Sequence, residues 1–186
     1  MKRLDKLLRF WRTCVALGEV PKSAKRFFDI GCGDGYLLNI INKPDFFLIG
    51  CDPKLHHIDN KKIKFLHGYF PGAINLQNLA SSIDVVFSIA VFEHFAMEDI
   101  RNSSLAIKKI LNKNGLLIIT VPHPFVDYIL DFLKKINLIS GQSLEEHHEF
   151  NPNDLIDSFS GNFILLKHKK FQFGLNNLYV FRKKHG

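Results

Sequence analysis

Short apolar runs alternate with amphipathic stretches along the first two thirds of the chain. Runs with the length and residue types of buried strands occupy 26–31, 46–52, 64–68, 84–90 and 115–121. Apolar residues recur at helical spacing between them, over 35–41 and 97–111. Asn114-Gly115 is expected to stop the second of these helices. Alternating strands and helices predict a parallel sheet that is covered on both faces.

The end of the chain has a different pattern. Helices are predicted over 124–138 and 153–159, followed by two long strands, 163–173 and 175–182. The two strands join around Gly174, which predicts a hairpin and therefore an antiparallel edge on the sheet. Residues 2–17 predict a basic amphipathic helix that carries Leu4, Leu7, Leu8, Trp11 and Val15. Such a helix either packs on its own domain, which we favour, or lies on a membrane surface.

Length and composition describe one ordinary globular domain. The chain has 186 residues, of which 46% are hydrophobic and 23% are charged. It has no apolar run near the roughly 18 residues that a membrane span requires. Residues 1–17 are too basic for the apolar region of a signal peptide, so we expect a cytoplasmic protein.

The net charge of +7 is concentrated at the two ends of the chain. Residues 1–26 hold eight Lys/Arg and two acidic residues, and residues 163–186 hold six Lys/Arg and no acidic residue. Basic ends either bind an anionic partner or are solvated surfaces, and we favour the second interpretation. The three cysteines, Cys14, Cys32 and Cys51, include no C-x-x-C pair, which argues against a disulfide framework or a cysteine zinc site.

The most informative motif follows the first predicted strand. It has the spacing G-x-G-x-G, formed by Gly31, Gly33 and Gly35, and Asp29 precedes it. Glycines let backbone N–H groups approach a ligand, but a carboxylate at Asp29 would repel a pyrophosphate and attract an ammonium group. The second strand ends at Asp52, where an acidic residue can accept hydrogen bonds from ribose hydroxyls. A ribose ligand that carries an ammonium and a carboxylate describes S-adenosylmethionine better than NAD.

These residues resemble the class I S-adenosylmethionine-dependent methyltransferases. The similarity runs from about residue 27 to residue 122 and includes the strand that ends Val91-Phe-Glu-His94 and the segment Lys113-Asn-Gly115. The resemblance implies an α/β, Rossmann-like, doubly wound and mostly parallel seven-stranded sheet with an antiparallel C-terminal strand. It implies one domain over 1–186, with an N-terminal helix at 1–22, a cofactor-binding half at 23–122 and an acceptor-side half at 123–186. The cofactor-binding residues that it implies are Asp29, Gly31, Cys32, Gly33, Asp52, Pro53, Tyr69, Ala90 and Val91. Tyr69 stands where relatives commonly place an Asp that accepts the adenine amino group.

Histidines are the candidate general bases, because a hydroxyl or amine acceptor often has to lose a proton. We select His94 and His123, which follow the fourth and fifth strands, and His148, in the segment 145–150. That segment resembles the E-H-H-x-F stretch of uncharacterised bacterial members of the family. The Glu93-His94 pair is similar to the E-x-x-E-H run with which some relatives hold a metal, but Ala90 replaces the first Glu, and we predict no metal. The alternative is that Glu93 and His94 only cap the next helix.

The sequence indicates the methyl acceptor less clearly than the cofactor. The amino-directed N-P-P-Y run is replaced by Ser88-Ile-Ala-Val91, and no cysteine near the fourth or fifth strand could attack a pyrimidine. We therefore expect O-methylation of a small molecule, a glycan or a lipid-linked intermediate. The alternatives are RNA methylation, which the basic ends favour, and a non-catalytic S-adenosylmethionine-binding protein that activates a partner.

Overall fold

The computed structural model describes residues 3–55, 62–72, 74–123 and 152–185. The seven strands are β1 (Arg26–Ile30), β2 (Phe47–Asp52), β3 (Ile63–His67), β4 (Ile83–Ile89), β5 (Leu111–Pro122), β6 (Phe163–Phe171) and β7 (Asn176–Lys183). The helices are α1 (Arg3–Leu17), α2 (Tyr36–Ile41), α3 (Met97–Ile110) and α4 (Pro152–Ser160), and short 3-10 turns form at Gln77–Leu79 and Phe92–His94.

The strands form one sheet in the order β3-β2-β1-β4-β5-β7-β6. Pairs among β1 to β5 are parallel, whereas β7 runs antiparallel to both of its neighbours, β5 and β6. The order reverses between β1 and β4, and ligands of such sheets bind outside the carboxyl ends of the strands at this switch point. The predicted mostly parallel seven-stranded sheet with an antiparallel C-terminal strand is confirmed.

Helices cover both faces of the sheet, as the alternating pattern predicts. Side chains of α3 and α4, including Ile107 and Phe159, pack with one face of the central strands. Ala16 of α1 and Leu38 of α2 pack with the other face. Acidic residues in the first turn of α3 and two lysines in its last turn complement the helix dipole.

Two predicted strand boundaries are wrong, the first for a long-range reason and the second for a local one. The helix predicted over 97–111 ends at Ile110, but the strand predicted to begin at 115 already begins at Leu111, before the Asn114-Gly115 stop. The side chain of Asn112 donates to the Asp84 carboxylate, where the β4–β5 register shifts between Ile83 and Val85. The hairpin strand predicted to reach residue 173 ends at Phe171, because Gln172 and Phe173 already have positive φ angles of 50° and 58°.

The two basic ends of the chain meet in the fold. The Gln172 side chain donates to the Leu8 carbonyl oxygen at 2.8 Å, and Lys167 forms an ion pair with Glu19 at 2.7 Å. The N-terminal helix therefore packs on its own domain, beside the β6–β7 hairpin, as favoured above. The predicted helix over 124–138 lies outside the described residues.

Candidate functional site

The turn after β1 is built so that the chain reverses at the carboxyl end of the strand. Gly31 has a φ of +69°, a conformation that costs glycine little and other residues more. A Cβ at this position would lie 2.3 Å from a methyl carbon of Val91. The absence of a side chain at Gly31 therefore allows the turn to pack directly against the loop after β4. The N–H groups of Gly31 and Cys32 both donate to the Cys51 carbonyl oxygen, at 2.8 and 3.1 Å. The glycine turn is thereby joined to β2.

Asp52 connects the glycine turn to the end of β2. Its carboxylate accepts one hydrogen bond from the Gly33 N–H at 2.9 Å and another from the Lys54 N–H at 2.7 Å. A Cβ on Gly33 would meet no atom within 4 Å, so open space lies beside this carboxylate. A ligand with vicinal hydroxyls in that space would find an ionised acceptor held in place from both sides. Pro53 follows directly and is half-buried.

The loop after β3 also approaches Asp52, because the Gly68 N–H donates to the Asp52 carbonyl oxygen at 3.2 Å. Tyr69 is the next residue and its side chain is 69% exposed. The predicted adenine-side residue is thus on the same rim as Asp52 and projects into solvent in this structure.

A cavity of about 190 Å³ opens between α1 and the switch point of the sheet. Four of the predicted cofactor-binding residues line it: Asp29, Gly31, Cys32 and Ala90. Gly33, Asp52 and Val91 adjoin these residues through the contacts given above. The structure therefore brings together both acidic residues, the glycine turn and the loop after β4, which sequence analysis assigned to one pocket.

Burial dominates the electrostatics of the cavity. Asp29 is 4% exposed, and burial raises the pKa of its carboxyl group to about 8, with the charge of Arg9 acting in the opposite direction. A ligand ammonium placed beside this carboxyl group would favour its ionised form. Burial likewise raises the pKa of the Cys32 and Cys51 thiols well above the ordinary range, so both are inert packing groups.

The N-terminal helix supplies cavity residues that sequence analysis missed. Arg9, Arg12 and Thr13 line the cavity opposite Asp29. The Nε of Arg12 is buried and has no hydrogen-bond partner in the described part of the chain. Burial lowers the pKa of this guanidinium and the nearby charge of Glu93 raises it. Arg9 bonds to Asp34 and stacks 4.2 Å above the Tyr36 ring. Their spacing in the sequence places Arg9, Arg12 and Thr13 on one face of a helix, but it does not indicate which surface that face covers.

The candidate bases follow adjacent strands of the sheet. Ala90 at the end of β4 donates to the Thr120 carbonyl oxygen of β5 at 2.8 Å, so His94 and His123 leave the sheet at the same edge. His94 is exposed within its 3-10 turn, and His123 is half-buried with its N–H bonded to the Leu175 carbonyl oxygen at 2.8 Å. Neither histidine lines the cavity, and His148 lies outside the described residues.

Neither Glu93 nor His94 is the N-cap residue of the next helix. The N-cap of α3 is Ala96, which makes no side-chain capping bond. Glu93 is instead 3% exposed and lies near Arg12. In the described ranges, no group of three or more His, Cys, Asp or Glu side chains is arranged to hold a metal ion. No described helix is both long and apolar enough to cross a bilayer.

The site fits S-adenosylmethionine on three independent observations. The buried Asp29 carboxyl group matches an ammonium, and the buried Arg12 Nε matches a carboxylate. The open space at Gly33 beside Asp52 matches a ribose. These three positions follow the order of the groups along the cofactor, from the amino acid to the nucleoside.

Comparison with known proteins gives the same assignment. Residues 28–117 match the family described as "Methyltransferase domain". The chain is 33% identical over 106 residues, or 56% of its length, to the tRNA (carboxymethyluridine(34)-5-O)-methyltransferase alkbh8 of Xenopus tropicalis. It is 30% identical over 115 residues, or 60% of its length, to a tRNA (carboxymethyluridine(34)-5-O)-methyltransferase of Arabidopsis thaliana. The matches span 16% and 27% of those two relatives.

A solved structure shows the same fold over nearly the whole chain. It is a TehB-like SAM-dependent methyltransferase from Corynebacterium glutamicum, with a TM-score of 0.67 and 15% identity, and the alignment covers 93% of this chain and 87% of that one. The family match, the curated relatives, the fold and the geometry of the pocket agree. The similarity to the class I S-adenosylmethionine-dependent methyltransferases therefore holds in sequence over residues 28–117 and in fold over nearly the whole chain.

Proposed function

We propose that this chain transfers the methyl group of S-adenosylmethionine to an oxygen atom of a small molecule, a glycan or a lipid-linked intermediate in the cytoplasm. The observation that carries the cofactor side of the proposal is the cavity between α1 and the glycine turn, with Asp29 on one wall and Arg12 on the other. The choice of acceptor is supported by the intramolecular bonds that the cationic side chains of the two chain ends form.

Each cofactor group has a counterpart in the proposed site. Asp29 binds the ammonium, and Arg12 binds the carboxylate through its buried Nε. Asp52 accepts the ribose hydroxyls, with Pro53 beside it, and Tyr69 lies on the adenine side. Gly31, Cys32 and Gly33 form the floor, and Ala90 and Val91 close the pocket from β4.

The bound cofactor supplies an electrophilic methyl group on a sulfonium, which loses its charge during the transfer. The protein therefore has to position the acceptor oxygen in line and exclude water. His123 or His94 accepts the acceptor proton at the rim where β4 and β5 end, and His148 is the third candidate. Glu93 is a positioning residue in this account, because its buried carboxylate acts on Arg12 rather than on the acceptor.

The acceptor class follows from the use of the basic side chains. Among the described residues, six cations of the chain ends make intramolecular bonds: Arg9 to Asp34, Lys25 to Asp45, Arg26 to the Ser82 carbonyl oxygen, Lys167 to Glu19, Lys183 to the Leu111 carbonyl oxygen and Lys184 to the Ser160 carbonyl oxygen. Nucleic-acid binding depends on cations that are available to phosphates. Bonds within the fold reduce that availability, which supports an acceptor smaller than a polynucleotide.

RNA is the second candidate acceptor. The two curated relatives are named as tRNA methyltransferases, and the basic ends of this chain lie side by side in the fold. Lys169, Lys170 and Arg182 are exposed on the β6–β7 edge and could contact phosphates. These observations favour RNA as the alternative to be tested first.

Methylation of fractionated cell extract with radiolabelled S-adenosylmethionine distinguishes the candidates. We expect label in organic-soluble lipids or low-molecular-weight solutes, whereas label that ribonuclease releases would contradict the first proposal and support RNA. With the labelled fraction as substrate, His123→Ala or His94→Ala should lower turnover by about 10²–10⁴ without changing cofactor affinity. The exposed His185→Ala is the matched control and should retain full activity. Full activity in all the histidine variants would contradict base catalysis at this rim.

A further inference from the structure

The outer face of α1 is apolar and exposed. Leu7, Phe10 and Trp11 lie on one side of the helix and are 57%, 50% and 37% exposed. Phe173 in the β6–β7 turn is 93% exposed, and its ring meets the Trp11 ring edge-on with centroids 5.7 Å apart. We call these four side chains the rim patch. The inner face of the same helix lines the cofactor cavity through Arg9, Arg12 and Thr13.

The rim patch lies at the edge of the sheet where the site opens. The turn that carries Phe173 is connected to the end of β5, because the Leu175 carbonyl oxygen accepts the His123 N–H at 2.8 Å. The Gln172 side chain fastens the same turn to α1 at Leu8. A surface that covered the rim patch would therefore lie directly beside the proposed acceptor entrance.

Cations surround the rim patch. Arg3 and Lys6 are exposed on α1. Lys169 is exposed on β6 and lies on the sheet face toward α1. Its neighbours along that face are Lys167, which pairs with Glu19, and Phe171, which packs against the same face. The charge around the patch is thus positive and complements an anionic surface.

We propose that the rim patch docks the enzyme on an anionic membrane surface. A helix with Leu, Phe and Trp on one side and Lys and Arg beside them inserts its apolar side chains at the boundary between headgroups and acyl chains. Tryptophan favours that boundary because its ring is apolar and its N–H is polar. This inference rests on the proposed function and narrows it, since it selects the lipid-linked acceptor among the three acceptor types.

Two other occupants fit the patch less well. A second copy of the chain around a two-fold axis would bring two positively charged surroundings together, which repel each other. RNA would use the cations and one stacked aromatic ring, but it leaves the outward aliphatic and aromatic stripe of Leu7 and Phe10 without a role. The bilayer accounts for both the apolar side chains and the positive charge.

Trp11 is the only tryptophan of the chain, so its fluorescence reports on the patch without labelling. The full chain is mixed with vesicles of phosphatidylcholine alone or with phosphatidylglycerol added. With the anionic vesicles we expect sedimentation of the protein, a shift of Trp11 emission to shorter wavelength and quenching by brominated acyl chains. Lys6→Gln should lower the binding constant about fivefold, the contribution of one cation near an anionic surface.

Leu7→Ser combined with Phe10→Ser keeps the fluorophore and should abolish vesicle binding. Ile164→Ser combined with Leu166→Ser removes two exposed apolar side chains of β6 outside the patch, and should leave vesicle binding unchanged. Binding of S-adenosylhomocysteine in solution should be normal in both variants, which verifies that they are folded.

Several results would overturn the inference. The first is unchanged Trp11 emission and no sedimentation with anionic vesicles, and the second is vesicle binding by the Leu7/Phe10 variant equal to that of the wild type. The third is quenching of Trp11 by an RNA 20-mer rather than by vesicles. The fourth is a wild-type dimer that is lost in the Leu7/Phe10 variant. None of these results bears on methyl transfer to a soluble acceptor, so failure of membrane docking and failure of the proposed O-methylation are distinguishable.

Discussion

Replacing Asp29 by asparagine should make the ligand-free protein more stable, by an amount that grows with pH. The folded protein holds this carboxyl group in the apolar interior, where burial raises its pKa from 3.8 to about 8. Between these two values the unfolded chain has lost the proton and the folded protein retains it. Stability then falls as pH rises, because the unfolded state binds fewer protons. Asparagine has the same shape and no such proton.

The magnitude follows from the size of the pKa shift. Each pH unit above 3.8 costs the wild-type protein about 1.4 kcal/mol relative to Asp29→Asn, until the pH reaches about 8. At pH 7 the accumulated difference is about 4 kcal/mol, which is large beside the 5–15 kcal/mol typical of domains. A stabilised variant that binds its cofactor poorly would identify Asp29 as a residue retained for binding rather than for folding.

Urea unfolding of both proteins at pH 5, 6, 7 and 8 measures this difference, and titrations that the two proteins share cancel. Asp45→Asn is the control: this carboxyl group is exposed, and a hydrogen bond from Lys25 lowers its pKa, so its difference from wild type should be constant above pH 5. A constant difference for Asp29→Asn across the same range would mean that the buried carboxyl group is already ionised, and would refute the reasoning.

The other predictions concern the two ends of the cofactor. Arg12→Met keeps an apolar stem of the side chain and removes its guanidinium charge, so it should weaken S-adenosylhomocysteine binding by roughly 1.5–3 kcal/mol while leaving adenosine binding unchanged. Equal losses for both ligands would remove Arg12 from the carboxylate. Asp52→Ala should weaken both ligands by roughly 1–3 kcal/mol, because both carry the ribose and because the Gly33 N–H loses its acceptor. Unchanged calorimetry in a folded Asp52→Ala protein would place the ribose elsewhere.

Much of the fold follows from the sequence because the β-rich runs are local signals. The five parallel strands can be located to within a few residues, and the antiparallel position of β7 is implied by the short connection around Gly174. The start of β5 could not be located in this way. Asn114-Gly115 is a valid helix stop, but Asp84, 28 residues away from Asn112, fixes the turn earlier through a side-chain bond. Long-range bonds of this kind have no periodic trace in the sequence.

Some residues of the candidate site can likewise be predicted from the sequence, and others cannot. Asp29, Gly31, Gly33 and Asp52 are adjacent to strand ends, so their meeting at one edge follows from parallel topology alone. Arg9 and Arg12 reach the cavity because α1 packs across the switch point, and nothing in the spacing of residues 1–26 predicts where that helix docks. The basic face that appears solvated in the sequence thus provides both a wall of the cavity and the surroundings of the rim patch.

Calorimetric titration of the purified chain with S-adenosylhomocysteine tests the central claim most directly, because it needs no knowledge of the acceptor. The account predicts one site per chain with a dissociation constant in the micromolar range. This constant corresponds to a binding free energy on the order of −7 to −8 kcal/mol. It also predicts no comparable binding of NAD, since a cavity lined by the Asp29 carboxyl group suits an ammonium group rather than a pyrophosphate. Binding of NAD together with no binding of S-adenosylhomocysteine or S-adenosylmethionine would contradict the account.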